Sequence, residues 1–189
     1  MKKIILFAAM AVMSLAANAQ ELKFAYVDLN EIIMLMPEMD QARATLEENQ
    51  KTNEEILMEM YQEYQTKAQQ YQQKAAEWNQ TIRETKEREL MDIQTRLEQT
   101  NQSLQQEMQQ LQNSLQAPIY EKAQSVVSAL AKGHGYAAVF EKGTFLYVDP
   151  EQMVDITPDA RIALGIPEDR TIESLQAELQ AKAQAAQMQ

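Results

Sequence analysis

The chain offers few groups that could do covalent chemistry. His134 is the only histidine, it stands between Gly133 and Gly135, and there is no cysteine. A single imidazole without thiols leaves the common zinc ligand sets incomplete, and no nucleophile–base pair stands out. Carboxylates abound, with 28 Asp and Glu against 17 Lys and Arg. They are spread through helix-like sequence, where they read as solvated faces rather than acid/base pairs. No catalytic residue, cofactor site or metal site is assigned, and an enzyme is not indicated. More informative are 12 methionines and an aromatic run on one stretch. Met58, Met60, Tyr61, Tyr64, Tyr71 and Trp78 are the candidate contact residues. Met is flexible and polarizable, so these groups suit either helix packing or adaptable apolar contact with many partners.

The element that carries them is a long helical stretch. Residues 38–117 contain no glycine and no proline and are rich in Gln, Glu, Met, Ala and Leu, which are good helix formers. Apolar or small residues recur at Leu57, Met60, Tyr64, Ala68, Tyr71, Ala75, Trp78 and Ile82, the three-and-four spacing of a coiled-coil seam. A second seam runs through Leu90, Ile93, Leu97, Thr100, Leu104, Met108, Leu111, Leu115 and Ile119, continuing to Leu130. Two narrow seams predict an antiparallel hairpin of two helices. Its midpoint lies near residue 85, and Thr81 with Glu84 has capping-box spacing for the returning helix. Pro118 should kink or restart that helix, and Gly133-His134-Gly135 should end it.

Short strands flank the hairpin. Phe24 and Tyr26 alternate with Ala25 and Val27 ahead of Asp28, and a short apolar helix follows up to Pro37. Residues 136–140 and 144–148 read as a β-hairpin around Glu141-Lys142-Gly143, with Gly143 at positive φ. Thr157 and Pro158 read as N-cap and first residue of another helix. The tail from Thr171 offers Ile172, Leu175 and Leu179 on one side. The fold class predicted is mainly α with a small β body, the hairpin arm being inserted into the sheet. The divisions are body at 20–37 and 118–165, arm at 38–117 with its base reaching about 132, and a partly helical or disordered tail at 166–189. So small a body has a marginal core and calls for oligomerisation. Phe24, Tyr26, Val27, Val139, Phe140, Leu146, Val148 and Ile156 are its candidate residues.

The N-terminus reads as an export signal. Lys2 and Lys3 precede an apolar run ending in Ala17-Asn18-Ala19, the order of a cleavable signal peptide over residues 1–19. The run is shorter than the ~20 apolar residues a membrane span needs. Loss of Lys2 and Lys3 takes the formal net charge from −11 to −13. So acidic a chain repels nucleic acid and anionic lipid on average.

These features together resemble the Skp/OmpH family of periplasmic chaperones. The resemblance rests on Lys23-Phe24-Ala25-Tyr26-Val27-Asp28, the Gln/Glu-rich arm and Pro118-Ile119-Tyr120-Glu121-Lys122. It rests also on Gly135-Tyr136-Ala137-Ala138-Val139-Phe140, Tyr147-Val148-Asp149 and Val154-Asp155-Ile156-Thr157. The resemblance implies a homotrimer whose β body joins three helical arms around a cavity. It implies an ATP-independent holdase for unfolded outer-membrane and envelope proteins, with no cofactor and no catalytic residue. Typical members are described as basic with positive arm tips, whereas residues 38–63 here carry eight acids against Arg43 and Lys51. Direct binding to anionic membrane is therefore not expected. The competing reading is a structural coiled-coil adaptor or spacer in the envelope.

Overall fold

The computed structural model describes residues 22–187, so the signal-peptide reading of residues 1–19 lies outside the described residues. The chain divides into two compact units. One holds residues 22–32 with Ala123–Asp169, the other Ile33–Lys122 with the chain from Arg170 onward.

The first unit is built on a small parallel sheet. Strand β1 (Lys23–Val27) lies between β2 (Tyr136–Glu141) and β3 (Met153–Asp155), in the order β2-β1-β3. Ala25 faces Val139 and Tyr26 faces Phe140 on one side, while Phe24 faces Met153 and Tyr26 faces Asp155 on the other. Alternation divides β1 as its sequence implies: Ala25 and Val27 are buried, while Phe24 and Tyr26 are only half-buried. Ile32, Ala123, Ile156, Ala160, Leu164 and Ile166 complete the buried apolar set of this unit.

The predicted β-hairpin does not form. Residues 142–144 make a 3-10 turn, residues 145–148 lie outside any strand, and the third strand is Met153–Asp155. Gly143 does not take positive φ; among the described glycines that conformation falls to Gly135 and Gly165. The next strand is instead placed on the far edge of β1, parallel to it and to β2, and a parallel strand cannot be reached by a tight turn. The end of β2 is also pinned beside the end of β1. Glu141 accepts the Leu29 N–H at 3.2 Å, and Lys142 lies 3.5 Å from the Asp28 carboxylate. The apolar residues 145–148 become part of the crossover to the far edge of β1. There the Asp149 carbonyl accepts two N–H groups, from Gln152 and Met153.

Thr157 also acts differently from its predicted capping role. Helix α4 (Thr157–Ala163) has no side-chain cap from the residue before it. The Thr157 hydroxyl instead accepts the Asp28 N–H at 2.9 Å, while the Thr157 N–H donates to Asp155 at 2.9 Å. Asp28 in turn accepts the Glu31 N–H at 2.9 Å and so caps helix α1 (Leu29–Leu35). One polar chain thus ties β3, α4, β1 and α1.

The second unit contains the hairpin. Helix α2 (Pro37–Lys74) starts with Pro37 in its first turn, and α3 (Gln80–His134) returns after a turn at residues 75–79. The turn falls earlier than the sequence midpoint because Asn79, not Thr81, caps α3: its side-chain oxygen accepts the Ile82 N–H at 3.0 Å. Helix α3 runs through Pro118 without restarting and stops before Gly135, whose φ of 71° fits the left-handed closing position. In the tail, α5 (Ile172–Gln187) opens with reciprocal Thr171 and Ser174 bonds. Its Leu175 is buried, and Arg170 reaches Asp40 at 2.6 Å. The helix extends well past Leu179, which is itself exposed.

Candidate functional site

The arm's surface is decided by which residues the two limbs use on each other. From Leu57 to Trp78 the seam positions on α2 and in the turn after it are half-buried while most of their neighbours are exposed. On α3 the seam residues from Leu90 to Leu130 are likewise shielded, with Ile93, Ile119 and Ala123 fully buried. Ile82 is exposed, because the turn ends the first seam at Trp78.

Polar bonds lock the register. Tyr71 donates its hydroxyl to Glu87, Lys67 pairs with Glu89, and Gln94 donates to the Tyr64 hydroxyl at 2.7 Å. Glu63 meets Arg96 at 3.3 Å, and Glu38 pairs with Lys122 at the other end. Stepping back along α2 from Tyr71 to Glu38 is matched by stepping forward along α3 from Glu87 to Lys122, so the register holds along the limbs. Electrostatics follow this geometry. Lys67 and then Lys86 hold the Glu89 carboxyl at about 2, and the Lys122 hydrogen bond holds Glu38 below the usual range. The bond to Glu87 pushes the Tyr71 phenol up.

The six candidate contact residues therefore separate into two sets. Met60, Tyr64, Tyr71 and Trp78 are half-buried in the seam, and the Trp78 ring meets Tyr71 edge-on at 5.9 Å. Their first task is to join the limbs. Met58 and Tyr61 are 57% and 51% exposed and stand beside the seam. Ile56 on the same helix and Met91 and Tyr120 on α3 are also exposed. Met58 and Tyr61 fall in line with Glu47, Lys51 and Glu54 at spacings of four and three, a stripe of their own on α2.

In the sheet unit the candidate body residues also divide. Val27 and Ile156 are buried core of a single chain, and Phe24, Tyr26, Val139 and Val148 are half-buried. Phe140 is partly exposed, its ring 6.2 Å from Phe24 and 5.2 Å from Phe145. Leu146 and Tyr147 are open to solvent. His134 closes α3 with its ring 5.8 Å from Tyr136. A depression of about 370 Å³ in this unit is lined by Glu31, Lys142, Asp155 and Arg161. Its cations are engaged, Arg161 with Glu31 at 2.7 Å and Lys142 with Asp28. Among the described residues, no helix is long and apolar enough to cross a membrane.

In chain order, the long two-helix arm falls between β1 and β2 of the small parallel sheet. The family model described as outer membrane protein (OmpH-like) matches residues 23–161, and the chain belongs to that family. The crystal structure of a candidate OmpH-like outer membrane chaperone from Caulobacter crescentus shares the fold, with a TM-score of 0.69 at 12% identity. The match covers 78% of this chain and 86% of that one. No curated protein matches the sequence.

Proposed function

We propose that the chain is an ATP-independent holdase of the periplasm that shelters unfolded outer-membrane and envelope proteins between helical arms. Membership of the OmpH-like family supports a chaperone role in general. The observation that carries the finer reading is the arm itself. Its strongest apolar groups are spent joining the limbs, yet Met58 and Tyr61 stay open on the flank. Scattered apolar contacts on a narrow helical surface give weak, non-directional holding, which is what an unfolded client requires.

In this reading residues 20–37 and 118–165 form the body, 38–117 the arm and 166–189 a tail. Three copies join through the body, and exposed Leu146, Tyr147 and Phe140 supply apolar surface for that contact. Mature protein should suppress aggregation of a urea-diluted outer-membrane β-barrel at near-stoichiometric trimer, without nucleotide. Aggregation that proceeds unchanged at several-fold excess refutes the holdase. A monomer by light scattering at micromolar concentration refutes the trimer.

A further inference from the structure

Charge is distributed unevenly along the arm. Residues 44–66 carry six acids against Lys51 alone, and residues 97–121 carry three acids and no base. Residues 67–96, at the turn, carry five acids and six bases. Three of the turn's six bases are in ion pairs: Lys67 and Lys86 with Glu89, Arg96 with Glu63. Further from the turn, Glu47, Glu48, Glu54, Glu55 and Glu59 join none of the ion pairs formed among the described residues. Within that acidic stretch of α2 sit the two exposed apolar groups of the flank, Met58 and Tyr61.

We infer that this flank of α2 is the arm's docking surface for clients, and that it selects unfolded segments in which basic residues alternate with apolar ones. The inference rests on the holdase function proposed above and names its substrate class. Met58 and Tyr61 supply adaptable apolar contact. Glu54, Glu55 and Glu59 on the neighbouring positions are exposed and outside those ion pairs, Glu54 accepting the Gln50 amide at 3.0 Å, and can meet Lys or Arg of a client. A same-sign field of this kind attracts cationic segments and rejects acidic ones of equal apolar content. Both effects weaken with salt, because the screening length falls from about 10 Å at 0.1 M to about 3 Å at 1 M.

The test uses two soluble unstructured peptides of equal length and identical apolar residues, with Lys at the polar positions of one and Glu in the other. Binding to the full mature protein is read by fluorescence anisotropy at low and high salt, beside the barrel-aggregation assay. The basic peptide should bind more tightly, and the gap should close at high salt. Glu54→Gln/Glu55→Gln/Glu59→Gln should weaken the basic peptide about tenfold, since exposed charges contribute a few-fold each. Met58→Ser/Tyr61→Ser should weaken both peptides with the charges untouched. Equal binding of the two peptides, or binding that neither set of substitutions alters, overturns the inference. So does failure to bind either peptide while barrel aggregation is still suppressed, which leaves the holdase standing. Failure in both assays overturns the holdase and the inference together.

Discussion

Replacing Ile93 with Ala should cost the arm more than any other single truncation between residues 43 and 118. Ile93 is 2% exposed, and within that span no other described residue is fully buried. Truncating a buried Ile removes its transfer energy and leaves a cavity, at about 2–5 kcal/mol. The surrounding seam residues are half-exposed side chains on two slender helices and can partly close the gap. The lower part of the range, about 2–3 kcal/mol, is therefore expected. For a segment of this size, with a urea slope of about 1–2 kcal/mol/M, the midpoint should fall by about 1–3 M. Trp78, the only tryptophan, sits against Tyr71 beside the turn and reports the arm's unfolding by fluorescence. Ile93→Val should cost only about 0.5–1.5 kcal/mol. A shift below about 0.3 M for Ile93→Ala would mean that the limbs are not held by this seam, and the packing argument would fail.

Thr157→Val should destabilise the sheet unit by about 1–3 kcal/mol, because the Asp28 N–H loses its acceptor, whereas Thr157→Ser should be mild. Chemical denaturation of the two variants against wild type checks this. Acid should loosen the arm near its turn. Glu89 is held at about 2 against an ordinary 4.5, so its contribution is present above pH 4.5 and is lost as pH falls towards 2. Lys67→Met should shrink that acid-dependent loss, as read by Trp78 fluorescence during an acid titration. Arg170→Ala removes one of two cations on each of Asp40 and Glu178, the others being Arg43 and Lys182, and should expose the tail to limited proteolysis. The loss of overall stability should stay below about 1 kcal/mol, since these are surface pairs.

The hairpin was legible because coiled-coil spacing is a local and redundant signal. A seam repeated over many turns survives the uncertain position of any one residue. The turn was misplaced because Asn79 caps from one residue before the helix, and Thr81 with Glu84 offered an equally plausible pattern two residues later. The sheet was read in content but not in connection. Residues 144–148 have strand-like composition, yet the third strand is Met153–Asp155 on the far edge of β1, a long-range pairing that no local pattern encodes. Thr157 illustrates the same limit: its hydroxyl serves Asp28, 129 positions earlier in the chain. At the arm's surface, the aromatic residues were visible but their orientation was not. Tyr64 and Tyr71 look alike to Tyr61 in composition, and only their partners Gln94 and Glu87 reveal that they face the other limb.

The central claim, that clients are held on the exposed flank of the arm, is tested most directly by photocrosslinking during client refolding. A photoreactive residue is placed singly at Met58, Tyr61 or Ile93, and an unfolded outer-membrane barrel is diluted from urea in its presence. Crosslinks to the client should be strong at Met58 and Tyr61 and absent at buried Ile93. Client crosslinks missing from both flank positions, in a protein that still prevents aggregation, would contradict the account.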